Sequence, residues 1–432
     1  MNIFAIPTNR LVASSVSSLC QEIESHSKNE DNTILILDNS DSDTYNQNIR
    51  SLEPYRKLDY VNIKIFNSNN MNHFAKTITD AIGDKSIYSL IAPQPGDYGR
   101  IFNMLYLYVI LSGNDSFHRR DSDCFVNELN SSWQYPLKRE NDLLGKRICD
   151  VSDILEIRDY DMFNPKDEIL ITGSDYYGDW NLDIKDLSVN DDSLLDELFQ
   201  MMHVDKDVAD NLKNAKYKEY NYCRTNRPIL KTSKEVSTYP ECGNIAMKRV
   251  FEYIPNFVGK QGIGFDYHTY LLSHLFKVPT TYHENKILHK HDNVRSNDKT
   301  YESRKKYLLG IIKQIDIDEL YHEFIVNHLG NLLQSDISGL ELIKRIAGSS
   351  LPDALETSLN HLNYQNRKDN ILRLSNTLGR SNDEYSKALC KDFTKEVDAI
   401  LTNLDADYSD SIRLQRRWKD IVNVVKNMHV PM

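Results

Sequence analysis

The chain has 432 residues, of which 40% are hydrophobic and 27% charged, enough for one large core with an appendage or for two domains. The net charge of −11 disfavours a general nucleic-acid binder, and no apolar run reaches the roughly 20 residues of a membrane-spanning helix. The N-terminus lacks signal-peptide features and the six cysteines form no C-x-x-C pair, so we expect reduced thiols in a cytoplasmic protein.

The first 125 residues alternate between strand-like and helix-like patterns. These patterns predict strands over 3–7, 33–37 and 60–66 and helices over 11–27, 73–82 and 98–111. Such repetition favours an open, mostly parallel sheet, whose ligands bind outside the carboxyl ends of the strands. Two acidic turns, at Asp38 and at Asp121-Ser122-Asp123, would both lie at that edge, as expected of a nucleotide site.

The carboxylates of Asp121 and Asp123 follow the apolar helix and a Gly-Asn-Asp turn. At a strand end, the i, i+2 spacing points both side chains to nearly the same side. Two such groups suit a hard divalent cation that keeps open positions for phosphate oxygens. The alternative interpretation is a surface acidic turn balanced by Arg119 and Arg120.

The rest of the chain falls into two parts. A strand over 168–172, a helix over 191–215, a helix over 268–276 and a strand over 280–288 continue the α/β pattern, whereas helical periodicity dominates beyond residue 300. We therefore expect domains over 1–299 and 300–432, the second serving packing, acceptor docking or homo-oligomer contact. Asp179 and Trp180 place an aromatic ring beside a carboxylate, which suits a sugar or polar acceptor, with a structural turn as the alternative.

The order of these features resembles a GT-A fold glycosyltransferase of the family-2-like type, over roughly residues 1–295. Segment 3–10 is similar to that fold's first nucleotide-binding loop, the strand ending in Asp38 resembles its second strand, and 118–123 matches its Asp-x-Asp motif. The resemblance implies a Rossmann-like mixed α/β sheet with a mainly α-helical C-terminal subdomain. It also implies Mn²⁺ or Mg²⁺ as cofactor, a UDP- or GDP-linked nucleoside-diphosphate sugar as donor, and an unknown acceptor.

On the donor side, the resemblance assigns nucleotide or sugar-phosphate contacts to Pro7, Thr8, Asn9, Arg10, Asp38, Arg100, Asn103, Arg120 and Asp121. Arg100 and Asn103, at i and i+3, would share one helical face. Arg119 and Arg120 alternate faces on a strand, so at most one should reach the site.

On the metal side, the resemblance makes Asp123 the first choice for a direct ligand, with Asp121 contacting ribose or a metal-bound water. His289 or His291, at i and i+2, would complete the metal site. His291 is slightly preferred, and two exposed histidines are the alternative.

On the acceptor side, Gly243 and Asn244 are similar to a Gly-Gly-Asn segment before the acceptor-side helix, with Cys242 in place of the first glycine. Asp266 stands where that fold carries the general base of inverting enzymes, and it inherits this role by position. The alternative is that Asp266 only caps the helix that follows it.

Two rival functions remain open. A sugar nucleotidyltransferase would carry a glycine-rich phosphate loop after the first strand, but residues 7–10 contain no glycine. A non-catalytic sugar-nucleotide-binding protein would be expected to have lost its metal ligands, whereas Asp121, Asp123 and the histidine pair are present.

Overall fold

The computed structural model describes most of the chain. It covers residues 1–126, 128–129, 132–157, 163–180, 192–202, 204, 206–214, 218–219, 227–231, 240–241, 243–260, 262, 264–290, 300–333, 337–381 and 383–428. No helix in these ranges is long and apolar enough to cross a membrane.

The described strands are β1 (Asn2–Thr8), β2 (Asn32–Asp38), β3 (Asn62–Asn67), β4 (Ser116–Arg120), β5 (Cys124–Phe125), β6 (Glu128–Leu129), β7 (Ser132–Trp133), β8 (Glu156–Ile157), β9 (Ile171–Gly173), β10 (Tyr176–Gly178), β11 (Ile229–Lys231), β12 (Asn244–Lys248), β13 (Thr280–Tyr282) and β14 (Ile287–His289). After the first four, the described strands other than β12 have only two or three residues.

Helices connect the strands and then form the C-terminal part. They are α1 (Ala13–His26), α2 (Ser42–Leu52), α3 (Ser68–Ile82), α4 (Ser86–Ile91), α5 (Tyr98–Leu111), α6 (Pro136–Leu143), α7 (Asp192–Met201), α8 (Lys206–Asn214), α9 (His268–Leu275), α10 (Tyr301–Phe324), α11 (Gly330–Leu332), α12 (Gly339–Ile346), α13 (Ser350–His361), α14 (Tyr364–Arg380) and α15 (Glu384–Lys426). A π-helical turn, Ile325–Leu329, joins α10 to α11.

Nine strands form the main sheet in the order β3-β2-β1-β4-β12-β9-β13-β11-β8. The first four strands are mutually parallel, and β12 runs antiparallel to both β4 and β9. The end of β4 and the start of β12 therefore lie at the same edge, where Arg120 pairs with Asn244. This topology confirms the predicted mixed α/β sheet followed by a mainly helical C-terminal region.

A second sheet has three strands in the order β10-β14-β5, and its strand β5 begins directly after the acidic turn. In it, His289 pairs with Cys124 and Gly178 pairs with His289. Because Cys124 directly follows Asp123, this small sheet brings a histidine from late in the chain beside the acidic turn.

The two faces of β1 belong to different apolar cores. Ile3 and Ala5 lie in a core with α3 and α5, whereas Phe4 and Ile6 pack with α1. The first core continues without a break into the C-terminal helices, where Trp418 of α15 is fully buried and its Nε1 donates to the Phe251 carbonyl at 2.9 Å. The C-terminal helices thus share their core with the sheet.

The element predictions need three corrections. The predicted strand 280–288 is two strands, β13 in the main sheet and β14 in the small one. The predicted helix 191–215 is two helices, α7 and α8. The segment with Gly243 and Asn244, expected to stand before a helix, leads directly into the sheet strand β12, which is paired on both sides.

Candidate functional site

The predicted acidic pair lies on the turn that follows β4. The Asp121 carbonyl accepts from the Cys124 amide at 3.1 Å, and the Ser15 hydroxyl donates to the Ser122 carbonyl at 2.6 Å. These bonds fix the turn against the start of α1, so its two carboxylates hold defined positions at the edge of the parallel strands.

Asp123 lies between a cation and an imidazole. Arg10 Nη1 donates to Asp123 Oδ2 at 2.9 Å, and His289 Nε2 lies 3.6 Å from the same oxygen. The Asp123 carbonyl accepts from the Lys290 amide at 3.0 Å, which joins the turn to the end of β14. Arg10, Asp123 and His289, separated by more than a hundred residues in sequence, therefore meet at one point.

The orientation of the His289 ring is set by the backbone of Asp179. His289 Nδ1 lies 2.6 Å from the Asp179 carbonyl, so this nitrogen carries the proton and donates it. Nε2 is thereby directed at Asp123. Burial acts to lower the pKa of His289, but the hydrogen bond and charge of Asp123 outweigh it and raise the pKa. A hydrogen bond from one ring nitrogen to a backbone carbonyl is of the kind that orients metal-binding histidines.

Arg119 connects two carboxylates from distant parts of the chain. Its Nε and Nη2 donate to Asp121 at 2.9 and 3.2 Å, and Nη2 also donates to Asp266 Oδ2 at 3.1 Å. Its guanidinium lies 3.6 Å from the centre of the Phe102 ring on α5. Burial raises the pKa of Asp121, Arg119 opposes this, and the charges of Asp123 and Asp266 add to the rise.

Asp266 is not a helix cap. It lies in a short 3-10 turn, Phe265–Tyr267, and the N-cap of α9 is Tyr267, with no side-chain capping bond. The cap alternative is therefore wrong. Gly264, with φ of +80°, begins this turn and orients it.

Gly243 packs directly against the acidic turn. A Cβ at this position would lie 2.9 Å from Cys124 Sγ and 3.0 Å from Asp121 Cβ. A larger residue would press on the side chains of Cys124 and Asp121, so glycine allows this close packing. Gly243 therefore shapes the site by its lack of a side chain.

Glu241, which the sequence analysis missed, adds another carboxyl group. Burial, followed by the charges of Asp175 and Asp121, raises the pKa of Glu241 to about 7. Lys218, also missed, bonds Asp175 at 2.5 Å and lies 4.2 Å from the Tyr176 ring centre. The only available signal was that Glu241 stands two residues before Gly243.

Arg120 does not reach the site, which corrects its predicted role. It lies on the opposite face of β4, where it binds Glu22 at 3.0 and 3.1 Å and Glu140 at 2.9 and 3.1 Å. His118 Nδ1 is 2.7 Å from Glu140. The strand alternation already placed Arg119 on the side of Asp121, so the sequence contained the signal for the correct arginine.

Arg100 and Asn103 also bond inside the protein, which corrects the expectation that both face a sugar phosphate. Arg100 pairs with Asp97, the N-cap of α5, and donates to the Ser89 carbonyl at 3.0 Å. Asn103 exchanges two hydrogen bonds with the backbone of Asn256. Both residues hold α5 against its neighbours.

The loops that follow β1 and β2 are joined by the buried side-chain amide of Asn48. Asn48 donates to Asp38 Oδ2 at 2.8 Å and to the Arg10 carbonyl at 2.9 Å. Asp38 Oδ1 accepts from both the amide and hydroxyl of Ser40, so Asp38 is a buried anchor of the loop, which corrects its role as an open base or ribose contact. The Thr8 hydroxyl closes the turn to Arg10.

The remaining predicted residues are distributed as follows. Pro7 is the last residue but one of β1 and pairs with Leu37, and Asn9 is exposed at the same edge. Asn244 is fully buried and donates to the carbonyls of Asp175 and Asn285, which corrects its acceptor role. Trp180 packs with α7 and α8, and Asp179 acts through its carbonyl on His289. His291 and Cys242 lie outside the described residues.

A protein-family model, described as a family of unknown function (DUF6271), matches residues 2–432. No curated protein matches the sequence. Among solved structures, glucosyl-3-phosphoglycerate synthase from Mycobacterium tuberculosis with phosphoglyceric acid is 13% identical, with a TM-score of 0.33, covering 73% of this chain and 80% of that one. A second structure of that enzyme, with Mn²⁺, UDP-glucose and phosphoglyceric acid, is 12% identical, with a TM-score of 0.32 and the same coverage.

TarS 1-349 from S. aureus is 11% identical, with a TM-score of 0.34, and covers 97% of this chain and 92% of its own. Scores at this level carry no argument about chemistry.

Proposed function

The chain belongs to the DUF6271 family, whose function is unknown, and we propose from its own site that it is a metal-dependent glycosyltransferase. The reaction would move a sugar from a UDP- or GDP-linked donor to a hydroxyl group of an acceptor. The observation that carries this proposal is the convergence of Asp123 with His289, and of Asp121 with Asp266 around Arg119, at one edge of the sheet.

The metal-side residues fit a divalent cation. Asp123 Oδ2 and His289 Nε2 are 3.6 Å apart, near the separation of about 3.0–3.4 Å that two adjacent ligands take around one ion at about 2.1 Å. Asp121 lies close enough for the charge of Asp123 to raise the pKa of Asp121. A carboxylate–imidazole set suits Mn²⁺, with Mg²⁺ as the alternative ion. When bound, the ion would act as a Lewis acid toward the departing diphosphate.

Arg10 supplies a positive charge beside Asp123. It stands on the loop after β1 and pairs with Asp123. Guanidinium groups bind phosphate oxygens in bidentate fashion, so Arg10 would stabilise the charge that develops on the leaving group. The anchor made by Asn48 holds the backbone that carries Arg10 in place.

Asp266 is the proposed base. Its carboxylate is partly exposed at the site and is held by Arg119, which also holds Asp121. In this position Asp266 could accept the proton of an acceptor hydroxyl while that oxygen attacks the sugar carbon, which would give an inverting reaction. Glu241, with a pKa of about 7, is a further group able to exchange a proton near neutral pH.

The proposal is tested by thermal unfolding with UDP or GDP, with and without Mn²⁺. A nucleotide that binds only the folded state stabilises it by about 2.7 kcal/mol when present at 100 times its Kd. We expect stabilisation by one of the two nucleotides that depends on Mn²⁺ and is abolished in Asp123→Ala. Sugar-nucleotide hydrolysis should show the same dependence.

The matched control is Asp59→Ala. Asp59 is an exposed carboxylate just before β3, at the opposite end of the parallel strands. The Asp59→Ala variant should be stabilised by nucleotide and Mn²⁺ against thermal unfolding to the same extent as the wild type. Stabilisation that persists in Asp123→Ala, or that ignores a chelator, would show that the metal site is misassigned.

A further inference from the structure

The C-terminal helices contain a cluster of side chains of the types that bind metal ions, far in sequence from the acidic turn. Glu323 lies in the last turn of α10, His328 in the π-helical turn that follows, and His361 at the end of α13. One ligand atom from each lies within 4.8 Å of the other two.

The π-helical turn explains how Glu323 and His328 share one side of the helix. In a regular α-helix with 3.6 residues per turn, residues five apart point in clearly different directions. A π-helix forms i→i+5 hydrogen bonds, so its wider turn brings such residues back toward the same side. Isolated π turns occur frequently at functional sites.

The three side chains of the cluster lie against one another. His361 Nδ1 is 3.5 Å from Glu323 Oε1, and the His328 and His361 rings are stacked with centroids 6.3 Å apart. Asn327 donates to Glu323 Oε1 at 2.7 Å and orients that carboxylate. His328 Nε2 is buried and finds no hydrogen-bond partner among the described residues.

We propose that Glu323, His328 and His361 bind a borderline-soft divalent metal ion, with Zn²⁺ as the best fit. Two imidazoles and one carboxylate are a set that zinc takes, with a fourth position left for water or another ligand. Tetrahedral zinc at about 2.0–2.1 Å places neighbouring ligand atoms about 3.4 Å apart. The Glu323–His361 separation already matches this, and His361, 58% exposed, has room to adjust.

This site differs in chemistry from the one at the sheet edge. The sheet-edge site offers two carboxylates and one imidazole, and the helical site offers the reverse, which shifts its preference from Mn²⁺ or Mg²⁺ toward Zn²⁺. A bound ion would join α10 to α13. It would therefore stabilise the helical region, because binding to the folded state alone raises stability.

The test is calorimetric titration of the full chain with Zn²⁺ in excess Mg²⁺, which competes for hard-ligand sites. Loss of an outer-shell partner typically costs about 10–100-fold in metal affinity, so loss of a direct ligand should cost at least about tenfold. We expect one Zn²⁺ per chain at this site, with affinity reduced by that amount in His328→Gln and in His361→Gln. The melting temperature should rise with Zn²⁺ in the wild type and not in His361→Gln.

The matched control is His322→Gln, an exposed histidine next to Glu323 that does not belong to the cluster. It should bind Zn²⁺ as the wild type does. No zinc binding in excess Mg²⁺, or equal binding in the wild type and His361→Gln, would overturn the proposal. Because His361 is exposed, its replacement tests the site even if His328→Gln does not fold.

Discussion

The two faces of β4 carry charged groups that differ in how deeply they are buried and in how fully they are hydrogen-bonded. On one face Arg120 and His118 form hydrogen bonds with Glu22 and Glu140, all of them buried, and every carboxylate oxygen of the two glutamates has a partner. On the other face Arg119 holds Asp121 and Asp266, whose side chains stay 29% and 18% exposed.

We infer that the buried face of β4 contributes to stability and that the half-open face is available for chemistry. A buried, saturated ion network has no capacity left for a ligand, and breaking it leaves an uncompensated charge. A half-open group of carboxylates, in which burial raises the pKa of Asp121, can exchange a proton, a cation or a phosphate. Two arginines adjacent in sequence therefore serve different purposes because strand alternation sends them to opposite faces.

The largest expected effect concerns the open face. Asp266→Asn should reduce sugar transfer by a factor of about 10² to 10⁴, the usual range for loss of a general base, because the amide cannot accept the proton. Its Mn²⁺-dependent nucleotide binding should be unchanged, since Asp266 is not a proposed metal ligand. Steady-state kinetics alongside nucleotide titration would check this. Full-rate transfer by the variant would leave Asp266 as a partner of Arg119 only.

The next effect contrasts the two arginines directly. Arg120→Leu should lower the free energy of unfolding by about 3–5 kcal/mol, because it leaves two buried carboxylates without a cation. Arg119→Leu should cost clearly less stability, since the carboxylates it releases are partly hydrated, yet it should impair nucleotide binding or turnover more. Urea denaturation of both variants measures the difference. Equal stability losses would remove the distinction between the faces.

The smallest effect is a pH dependence. Burial acts to raise the pKa of Glu140, but Arg120 and the His118 hydrogen bond lower it from 4.5 to about 2. Because the pKa is lower in the folded state, the Glu140 carboxylate stabilises the fold above pH 4.5, and this contribution is lost as pH falls toward 2. The difference in free energy of unfolding between the wild type and Glu140→Gln should therefore decrease as pH falls from 4.5 toward 2. A gap independent of pH would contradict the assigned pKa.

The sequence determined the secondary structure where local pattern and burial agree. The apolar segment 98–111 forms α5 with the predicted bounds, because a helix that is apolar on all sides fits only a buried position. The parallel first strands followed from strand–helix repetition, and the acidic turn at Asp121 and Asp123 followed from its place after them. The fold class was predictable for the same reason.

Only the tertiary structure decided which side chains meet. Helix periodicity put Arg100 and Asn103 on one face. It could not show that Arg100 would pair with Asp97 or that Asn103 would bond to the backbone of Asn256. Glu241 and Lys218 became candidates only when the sheet edge was assembled.

The site and the core both depend on pairings between distant segments. His289 reaches Asp123 because β14 pairs with β5, and α15, about 64 Å long at 1.5 Å per residue, fills a core shared with the sheet. Local sequence sets periodicity and turn chemistry over a few residues. Contacts between segments more than a hundred residues apart depend on how whole elements pack, and this packing alone placed Arg10, Asp123 and His289 together.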